Sequence, residues 1–426
     1  MKRVVILCVW LFSVVAGHAQ LSLDECRRLA RENYPEIRQY DLVHQTEQYN
    51  LSNAARAWIP QLAFSAQATW QTDAPNFPKE LTGMLAQQGL EIPGLRKDQY
   101  KVALELNQTI WDGGKSVADK RIARAEAAEQ KTMTDVDLYE LEGRVDDLYF
   151  GILLLDERIA QTNLTLNLLR SNLEKVRALQ RNGVAMQSDA DVLEAELLSV
   201  GQQLIQFESS CDSYRRMLGI FIGQKVGDRK LLRPSAVQPL SGESARPELA
   251  MFAAKIDRLM AQEKMVKSSS MPRLGFFAQG YYGYPGLDYM QSMMNSDWSW
   301  NAMLGVKLSW NFGAYYTQKN NLNKLRTSRQ QVEVQRDVFL FNMNLQAAQE
   351  NGDIARLRKA IADDDRIVAL RRSVREAAES KLRNGIIDTH DLLSKITDES
   401  TASMAPSMRE KELLKAIYEY KHTINR

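Results

Sequence analysis

The chain has 426 residues, of which 44% are apolar and 25% are charged. This composition excludes a disordered chain, which would be poor in apolar residues, and a bundle of membrane-spanning helices, which would carry fewer charges. Removal of a leader that contains Lys2 and Arg3 would lower the 55 basic residues to 53, equal to the 53 acidic residues. A neutral chain is not expected to bind nucleic acid, because that binding requires a basic surface.

Residues 1–19 predict a secretory signal peptide. Lys2 and Arg3 precede an apolar stretch that is too short to span a bilayer, and small residues at the cleavage positions end at Ala19. We expect cleavage before Gln20, with an uncleaved anchor as the alternative. No later segment approaches the ~20 continuous apolar residues of a membrane-spanning helix. Any later passage through a membrane therefore requires β-structure.

Two cysteines, Cys26 and Cys211, lie beyond this leader. An oxidising compartment permits a disulfide between them, whereas small thiols are also common in protein cores. The distance between the two residues decides whether a disulfide forms. The sequence gives no such distance and leaves both interpretations open.

The strongest pattern is an internal duplication, in which several motifs recur in the same order. The pairs are Pro35-Glu36 and Pro247-Glu248, Pro60 and Pro272, Trp111-Asp112-Gly113-Gly114 and Trp310-Asn311-Phe312-Gly313, and Arg181-Asn182-Gly183 and Arg383-Asn384-Gly385. Recurrence of several motifs in the same order indicates repeated structural units. We predict a first repeat at 20–232, a proline-rich linker at 233–247 and a second repeat at 248–426.

Each repeat contains two predicted strands, because apolar and polar residues alternate with a period of two. The four strands are 62–73, 98–111, 273–284 and 298–311. Loops rich in turn-forming residues join the two strands of each pair. Strands of about ten residues are long enough to cross a bilayer when they are tilted.

Each pair of strands is followed by a long stretch without proline, which predicts a very long helix. From Leu138 to Val176 the apolar residues are alternately three and four positions apart, which is the seam of a coiled coil. The Asn-Gly pairs at 182 and 384 supply the left-handed residue at which such a helix ends. The resulting helical hairpins are 115–219 and 317–423. A break in the second hairpin is expected at Pro406.

Four strands cannot close a barrel, and an open sheet edge cannot face lipid. Other chains must therefore complete the barrel, and three copies would supply twelve strands. Tryptophans would then form the interfacial aromatic bands of such a barrel. These residues are Trp70, Trp111, Trp298, Trp300 and Trp310. The alternative is a soluble β-layer with the aromatic residues in its core.

Several motifs in this order resemble the TolC-like outer membrane efflux family over essentially the whole mature chain. They are Leu23-Asp24-Glu25-Cys26-Arg27-Arg28-Leu29-Ala30, Asn33-Tyr34-Pro35-Glu36, Ile59-Pro60-Gln61-Leu62, Trp111-Asp112-Gly113-Gly114 and the two Asn-Gly turns. The resemblance implies an α+β fold with a periplasmic α-barrel of long coiled-coil hairpins. It also implies a transmembrane β-barrel, closed as a homotrimer, to which each chain contributes four strands.

The same resemblance implies a protein of the Gram-negative outer membrane that contacts its lipid and extends into the periplasm. It would be the exit duct of a tripartite efflux or type I secretion system, with a periplasmic adaptor (membrane fusion) protein and an inner-membrane transporter as partners. The alternatives are an elongated exported structural coiled-coil protein and a passive porin. A plain porin has short periplasmic turns, so the long hairpins favour the exit duct.

The resemblance also assigns roles to residues near the two helical turns. The adaptor-docking tips correspond to Gly183, Val184, Gly385 and Ile386. The carboxylates of a periplasmic constriction correspond to Asp189, Asp191, Asp388 and Asp391. Two alignments of the tips disagree on whether Asp189 or Asp191 is the counterpart of Asp391, and the choice stays open. A ring of one aspartate from each of three chains favours cations. Helix capping by Ser188, Asp189 or Asp388 is the alternative role. Basic residues that could hold the tips closed are Arg177, Arg181, Lys381 and Arg383.

An enzyme is not expected. The mature histidines are His44, His390 and His422, and they form no metal-binding motif. The sequence has no nucleotide-binding loop, no GxSxG motif and no CxxC motif. We therefore predict no catalytic residue, no cofactor and no metal site.

Overall fold

A computed structural model describes residues 20–89, 92–183, 185–235, 244–384 and 386–425. The predicted leader, Val184, Gly385 and part of the predicted linker lie outside these residues. These described residues are mostly helical, with one four-stranded sheet, as expected. They divide into a helical unit and a sheet unit. The helical unit comprises the described residues of Met1–Gln39, Thr132–Ala250 and Arg336–Arg426, and the sheet unit comprises those of Tyr40–Lys131 and Met251–Gln335.

The helices and strands have the following bounds. The helices are α1 (Leu23–Asn33), α2 (Gln39–Arg56), α3 (Lys79–Gln87), α4 (Lys115–Arg181), α5 (Gln187–Ile222), α6 (Pro247–Ser268), α7 (Tyr289–Met294), α8 (Ala314–Arg383) and α9 (Thr389–Ile424), with a 3-10 turn at Pro35–Arg38. The strands are β1 (Gln61–Trp70), β2 (Asp98–Trp111), β3 (Arg273–Tyr284) and β4 (Ser299–Ser309). Among the described residues, no helix combines the length and apolar character needed to cross a bilayer.

The helical unit is built around the apolar seam of α4. Leu138, Leu141, Val145 and Ile152 are all buried, as their coiled-coil spacing predicts. Farther along α4, one apolar cluster joins all four long helices of the unit. Its buried members are Leu166, Leu169, Leu173, Val176, Ala190, Leu193, Val200, Ala378, Leu392 and Ile396. The α4–α5 hairpin and the α8–α9 hairpin therefore pack against each other within one chain.

The break predicted at Pro406 is wrong, because α9 continues through this proline. A proline inside a helix removes a backbone hydrogen bond and costs about 3 kcal/mol. Ion pairs hold α9 against α8 on both sides of the proline. Glu399 pairs with Arg375 before it, and Arg409 pairs with Asp364 after it. These contacts keep α9 along α8 despite the missing hydrogen bond.

Both mature cysteines are buried free thiols, so the disulfide interpretation is wrong. Burial raises the pKa of Cys26 to about 12, which keeps this thiol protonated. The Cys211 thiol donates to the Asp156 carboxylate at 3.3 Å and accepts from Arg215 at 3.3 Å. Cys211 thus belongs to a polar cluster that ties α5 to α4.

The sheet is antiparallel throughout, in the order β1-β2-β3-β4. The pairs β1–β2 and β3–β4 are those predicted from the sequence, and β2–β3 joins the two pairs. β1 ends at Trp70 rather than at residue 73. The loops that follow β1 and β3 contain the short helices α3 and α7, which were not predicted from the sequence.

A tight turn connects β2 to α4 and explains the Trp-Asp-Gly-Gly motif. The Asp112 carboxylate accepts from the backbone N–H groups of Gly114 at 2.9 Å and Ser116 at 2.7 Å. These bonds outweigh burial, and the pKa of Asp112 lies below its usual range. Gly113 has φ +70°, and a Cβ atom there would lie 2.7 Å from the Cβ of Met271. Only glycine fits this conformation and this space.

His422 is stacked against Tyr139 in the helical unit. The two rings are nearly parallel, with 4.2 Å between their centroids. Burial and the nearby guanidinium groups of Arg246 and Arg27 lower the pKa of His422 to about 4, while Asp147 acts in the opposite direction. The imidazole is therefore neutral at neutral pH.

We expect the helical unit to lose stability as the pH falls from 7 to 5. Across this interval the unfolded chain binds a proton on His422 and the folded chain does not, so acid favours unfolding. The full shift in pKa would give a loss of about 2 kcal/mol at pH 5, and the partial exposure of the ring reduces this to roughly 1 kcal/mol. His422→Phe keeps a ring against Tyr139 and should show a smaller fall in melting temperature over the same interval. Equal falls for parent and variant would contradict this role of His422.

Candidate functional site

The start of α9 gives different environments to the two aspartates of the second tip. Asp388 is the N-cap residue, and its carboxylate accepts from the backbone N–H of Asp391 at 2.8 Å. Asp391 occupies the third position of the helix, and its side chain is exposed. The capping role considered for Asp388 is therefore present. The Asp391 carboxylate is the more available of the two for a solute.

The start of α5 differs, because its N-cap residue is Met186. Ser188, considered as a cap, is instead the second residue of the helix. The Asp189 carboxylate reaches back and accepts from the backbone N–H of Met186 at 2.8 Å. Asp191 accepts from the Gln187 side chain at 2.7 Å. Asp189 and Asp391 occupy the same third position of their helices, which favours the alignment that pairs them.

The chain reverses direction at two tips, one for each helical hairpin. Gly183 has φ +75°, a conformation that L-residues with side chains rarely adopt. Ile386 is 68% exposed, which is unusual for an isoleucine within a single chain. Val184 and Gly385, the other two predicted docking residues, lie outside the described residues. Gly183 and Ile386 are thus accessible to a partner.

Ion pairs near the tips join the two hairpins, but they do not involve the four basic residues named from the sequence. Lys175 of α4 lies 3.3 Å from Glu379 of α8. Glu379 also pairs with Arg375, which in turn pairs with Glu399 of α9. The spacing of Arg375 and Glu379 on one helix could have suggested their pair. The pairing of Lys175 with Glu379 spans 204 positions and carries no local signal.

Within the described residues, none of the four predicted basic residues forms an ion pair between the two hairpins, and their closing role stays a prediction. Arg177 pairs with Glu194 at 2.7 Å, which closes the α4–α5 hairpin on itself rather than on its neighbour. Over the described part of the chain, Arg181, Lys381 and Arg383 form no ion pair within 4.0 Å. Contact between the two hairpins near the tips therefore includes the pair of Lys175 with Glu379 and the apolar cluster beneath it.

The register of the sheet separates an apolar face from a polar face. The apolar face carries Leu62, Phe64, Trp70, Val102, Leu104, Phe276, Tyr282, Trp300, Leu304, Val306 and Leu308. Most of these side chains are exposed, for example Leu304 at 76% and Trp300 at 82%. The opposite face carries Ser65, Gln67, Thr69, Gln99, Lys101, Glu105, Gln279, Asn301 and Lys307. An exposed apolar face of this size marks an interaction surface.

The predicted interfacial tryptophans lie near the two ends of the strands. Trp70, Trp298 and Trp300 are at the end where loops join the strands, and Trp298 stacks on Tyr100 with 5.6 Å between centroids. Trp111 and Trp310 are at the end where the long helices begin. The Trp310 indole N–H donates to the backbone carbonyl of residue 270 at 3.0 Å. This places the tryptophans in two bands.

The described residues contain no group of three or more His, Cys, Asp or Glu side chains arranged to hold a metal ion. His390, which the sequence places between two aspartates, is exposed at the second position of α9. The groups described at the two tips are carboxylates, some of which cap helices, and the exposed apolar side chain of Ile386.

This fold is that of outer-membrane channels. The outer-membrane channel OprN matches with a TM-score of 0.71 and 14% identity, over 94% of this chain and 89% of that chain. VceC from Vibrio cholerae matches with a TM-score of 0.68 and 14% identity, over 94% and 95% of the two chains. The open state of the MtrE channel from Neisseria gonorrhoeae matches with a TM-score of 0.64 and 14% identity, over 94% and 88%.

A sequence match agrees with this fold over part of the chain. Residues 27–223, just under half of the chain, match the family described as outer membrane efflux protein. This match confirms the resemblance noted in the sequence. No match was found among curated proteins.

Proposed function

We propose that the protein is an outer-membrane exit duct of a tripartite efflux or type I secretion system. The observation that carries this proposal is the sheet, which has one exposed apolar face and one polar face. Lipid would cover the apolar face, and the polar face would line an aqueous lumen. OprN and MtrE are described as outer-membrane channels, which supports the same function here.

The proposal requires a homotrimer. Among the described residues, the outer edges of β1 and β4 have no strand beside them. Unpaired backbone groups at such edges are too costly in lipid, so copies of the chain must pair edge to edge. Three copies would form a barrel of twelve strands. The duplicated sequence motifs fit this arrangement, since two similar repeats per chain would make six similar units around the axis.

The two tips would meet the periplasmic adaptor protein, and the inner-membrane transporter would supply the energy. Gly183, Val184, Gly385 and Ile386 are the proposed docking residues, and Ile386 offers an exposed apolar side chain for this contact. An elongated structural protein would not need the exposed apolar sheet face. A passive porin would not need helices of 67 and 70 residues.

Asp391 is the proposed constriction residue, together with Asp189 in the other tip. Three copies of each carboxylate around an axis would attract cations at the entrance of the duct. Asp388 serves mainly as a helix cap, and Asp191 is held by Gln187. Charge and capping can be separated by experiment, because asparagine caps a helix about as well as aspartate.

We expect Asp391→Asn to weaken the block of the channel by Mg²⁺ added at the periplasmic side. The half-blocking concentration should rise at least about tenfold, which corresponds to about 1.4 kcal/mol. Single-channel recordings in planar bilayers measure this concentration. Asp388→Asn keeps the cap and should change the block less. An unchanged block in Asp391→Asn would count against the constriction, and comparison of Asp189→Asn with Asp191→Asn would decide between the two alignments.

Cryo-EM of particles extracted from outer membranes with detergent tests the whole proposal. A three-fold particle with a membrane barrel and a long helical stalk is the expected result. A monomeric particle that is soluble without detergent would overturn it, and the sheet would then be a layer that another protein covers.

A further inference from the structure

A polar cavity of about 200 Å³ lies on the polar face of the sheet. It is at the end of the strands where the loops join them, opposite the end where α4 and α8 begin. Lys101, Gln99, Tyr281 and Tyr289 are among the side chains that line it. The cavity therefore offers a ligand one cationic group, neutral amides and phenol groups.

The charge of Lys101 is not neutralised by an ion pair. Its ammonium group donates to the side-chain oxygen of Gln279 at 3.1 Å, and the Gln279 amide nitrogen donates to Glu105. The amide is thus fixed with its oxygen toward Lys101 and its nitrogen toward Glu105. Within the described residues, no carboxylate oxygen lies within 4.0 Å of this ammonium group. By contrast, Arg96 at the same end of the sheet is paired with Asp98.

The neighbours of Lys101 position its ammonium group and leave it accessible from the cavity. It lies 4.6 Å from the centroid of the Tyr281 ring, a favourable cation–π distance. The register places Gly283 beside Lys101, so no side chain covers the sheet at that position. Lys101 is therefore positioned, partly desolvated and still able to donate to a further group.

We propose that this cavity binds an anionic group, of the carboxylate class, on a solute that passes through the outer end of the duct. Lys101 would donate to the carboxylate, and the rings of Tyr281 and Tyr289 would contact the apolar part of the solute. The inference rests on the proposed function, since the polar face lines a lumen only in the assembled duct. Three copies would place three such cavities around the exit.

Benzoate is a suitable probe, because it combines a carboxylate with an aromatic ring. In planar bilayers, benzoate added at the loop side should reduce the current through the full-length protein. Lys101→Gln should raise the half-blocking concentration about tenfold, the effect of losing one hydrogen bond to a charged group. It should also shift the reversal potential in a KCl gradient toward selectivity for K⁺.

Lys307→Gln is the matched control. It removes the same charge from the same face of the sheet, but at the opposite end, where Lys307 faces Gly275. We expect a change of less than about twofold in benzoate block, because Lys307 is remote from the cavity and screening weakens distant charges. Equal effects of the two substitutions would overturn the proposed cavity.

A second measurement does not depend on conduction. Saturation-transfer NMR of benzoate with the detergent-solubilised protein should show a signal that Lys101→Gln reduces and Lys307→Gln does not. Such a signal from protein that forms no channel would support the cavity and contradict the duct. A conducting protein whose block and NMR signal are unchanged in Lys101→Gln would retain the duct and overturn the cavity. Absence of both conduction and binding would overturn both proposals.

Discussion

Leu304→Arg is expected to abolish incorporation of the protein into the outer membrane. Leu304 lies in the middle of β4 on the apolar face and is 76% exposed. An arginine at the bilayer midplane costs about 2–4 kcal/mol, and a trimer would carry three copies, so the total is about 6–12 kcal/mol. A cost of this size equals the typical folding free energy of a domain, about 5–15 kcal/mol. Immunoblots of separated inner and outer membranes measure the effect.

Met303→Arg is the matched control for this substitution. Met303 precedes Leu304 on the same strand, and its side chain lies on the polar face opposite Gln279. An arginine there would face the proposed lumen and should leave incorporation within about twofold, because lumenal substitutions are tolerated. If both variants were incorporated normally, the apolar face would not be in lipid. If both were lost, the assignment of the two faces would be wrong.

The strands and their faces could be predicted from the sequence because their signal is local. A period of two fixes which side chains share a face, and this alternation alone places Leu304 and Trp300 on the same side of β4. The ends of the strands depend on pairing between segments that are distant in sequence. β1 stops at Trp70, three residues early, because pairing with β2 ends at Asp98 and the chain leaves the sheet for the loop that contains α3.

The tips could be located from the sequence, but the roles of their side chains could not. Asn182-Gly183 marks the turn because glycine is favoured where φ is positive. The N-cap of α5 is Met186, a residue type with no preference for this position, so the sequence pointed instead to Ser188 or Asp189. Capping depends on the backbone conformation reached by the loop, and the sequence does not reveal that conformation.

Contacts between the hairpins could not be predicted because they depend on the register between distant segments. Lys175 and Glu379 are charged residues on long helices, and the sequence around them would allow many other pairs of opposite charge equally well. At Pro406 the local sequence predicted a helix break that does not occur, because packing against α8 overrides the low helix propensity of proline. In both cases tertiary packing decides the outcome.

An apolar seam on α8 has no partner within the described part of the chain. Val338, Phe341 and Leu345 follow the three- and four-residue spacing of a coiled coil, and they are 52%, 64% and 56% exposed. Ile367 and Leu370 continue the exposed apolar surface farther along the helix. Buried seams of this kind stabilise helix pairs, and in the proposed trimer another chain would cover this one.

Phe341→Glu is therefore expected to dissociate the proposed trimer. Loss of a buried phenylalanine costs about 3–5 kcal/mol, and three interfaces would lose it together, so the total is roughly 10 kcal/mol. Light scattering coupled to size-exclusion chromatography in detergent measures the mass of the particle. Asn344→Glu, an exposed position beside the seam, adds the same charge and should leave the trimer intact. A trimer that survives Phe341→Glu would show that the seam is not the interface, and dissociation by both variants would indicate a general effect of charge on α8.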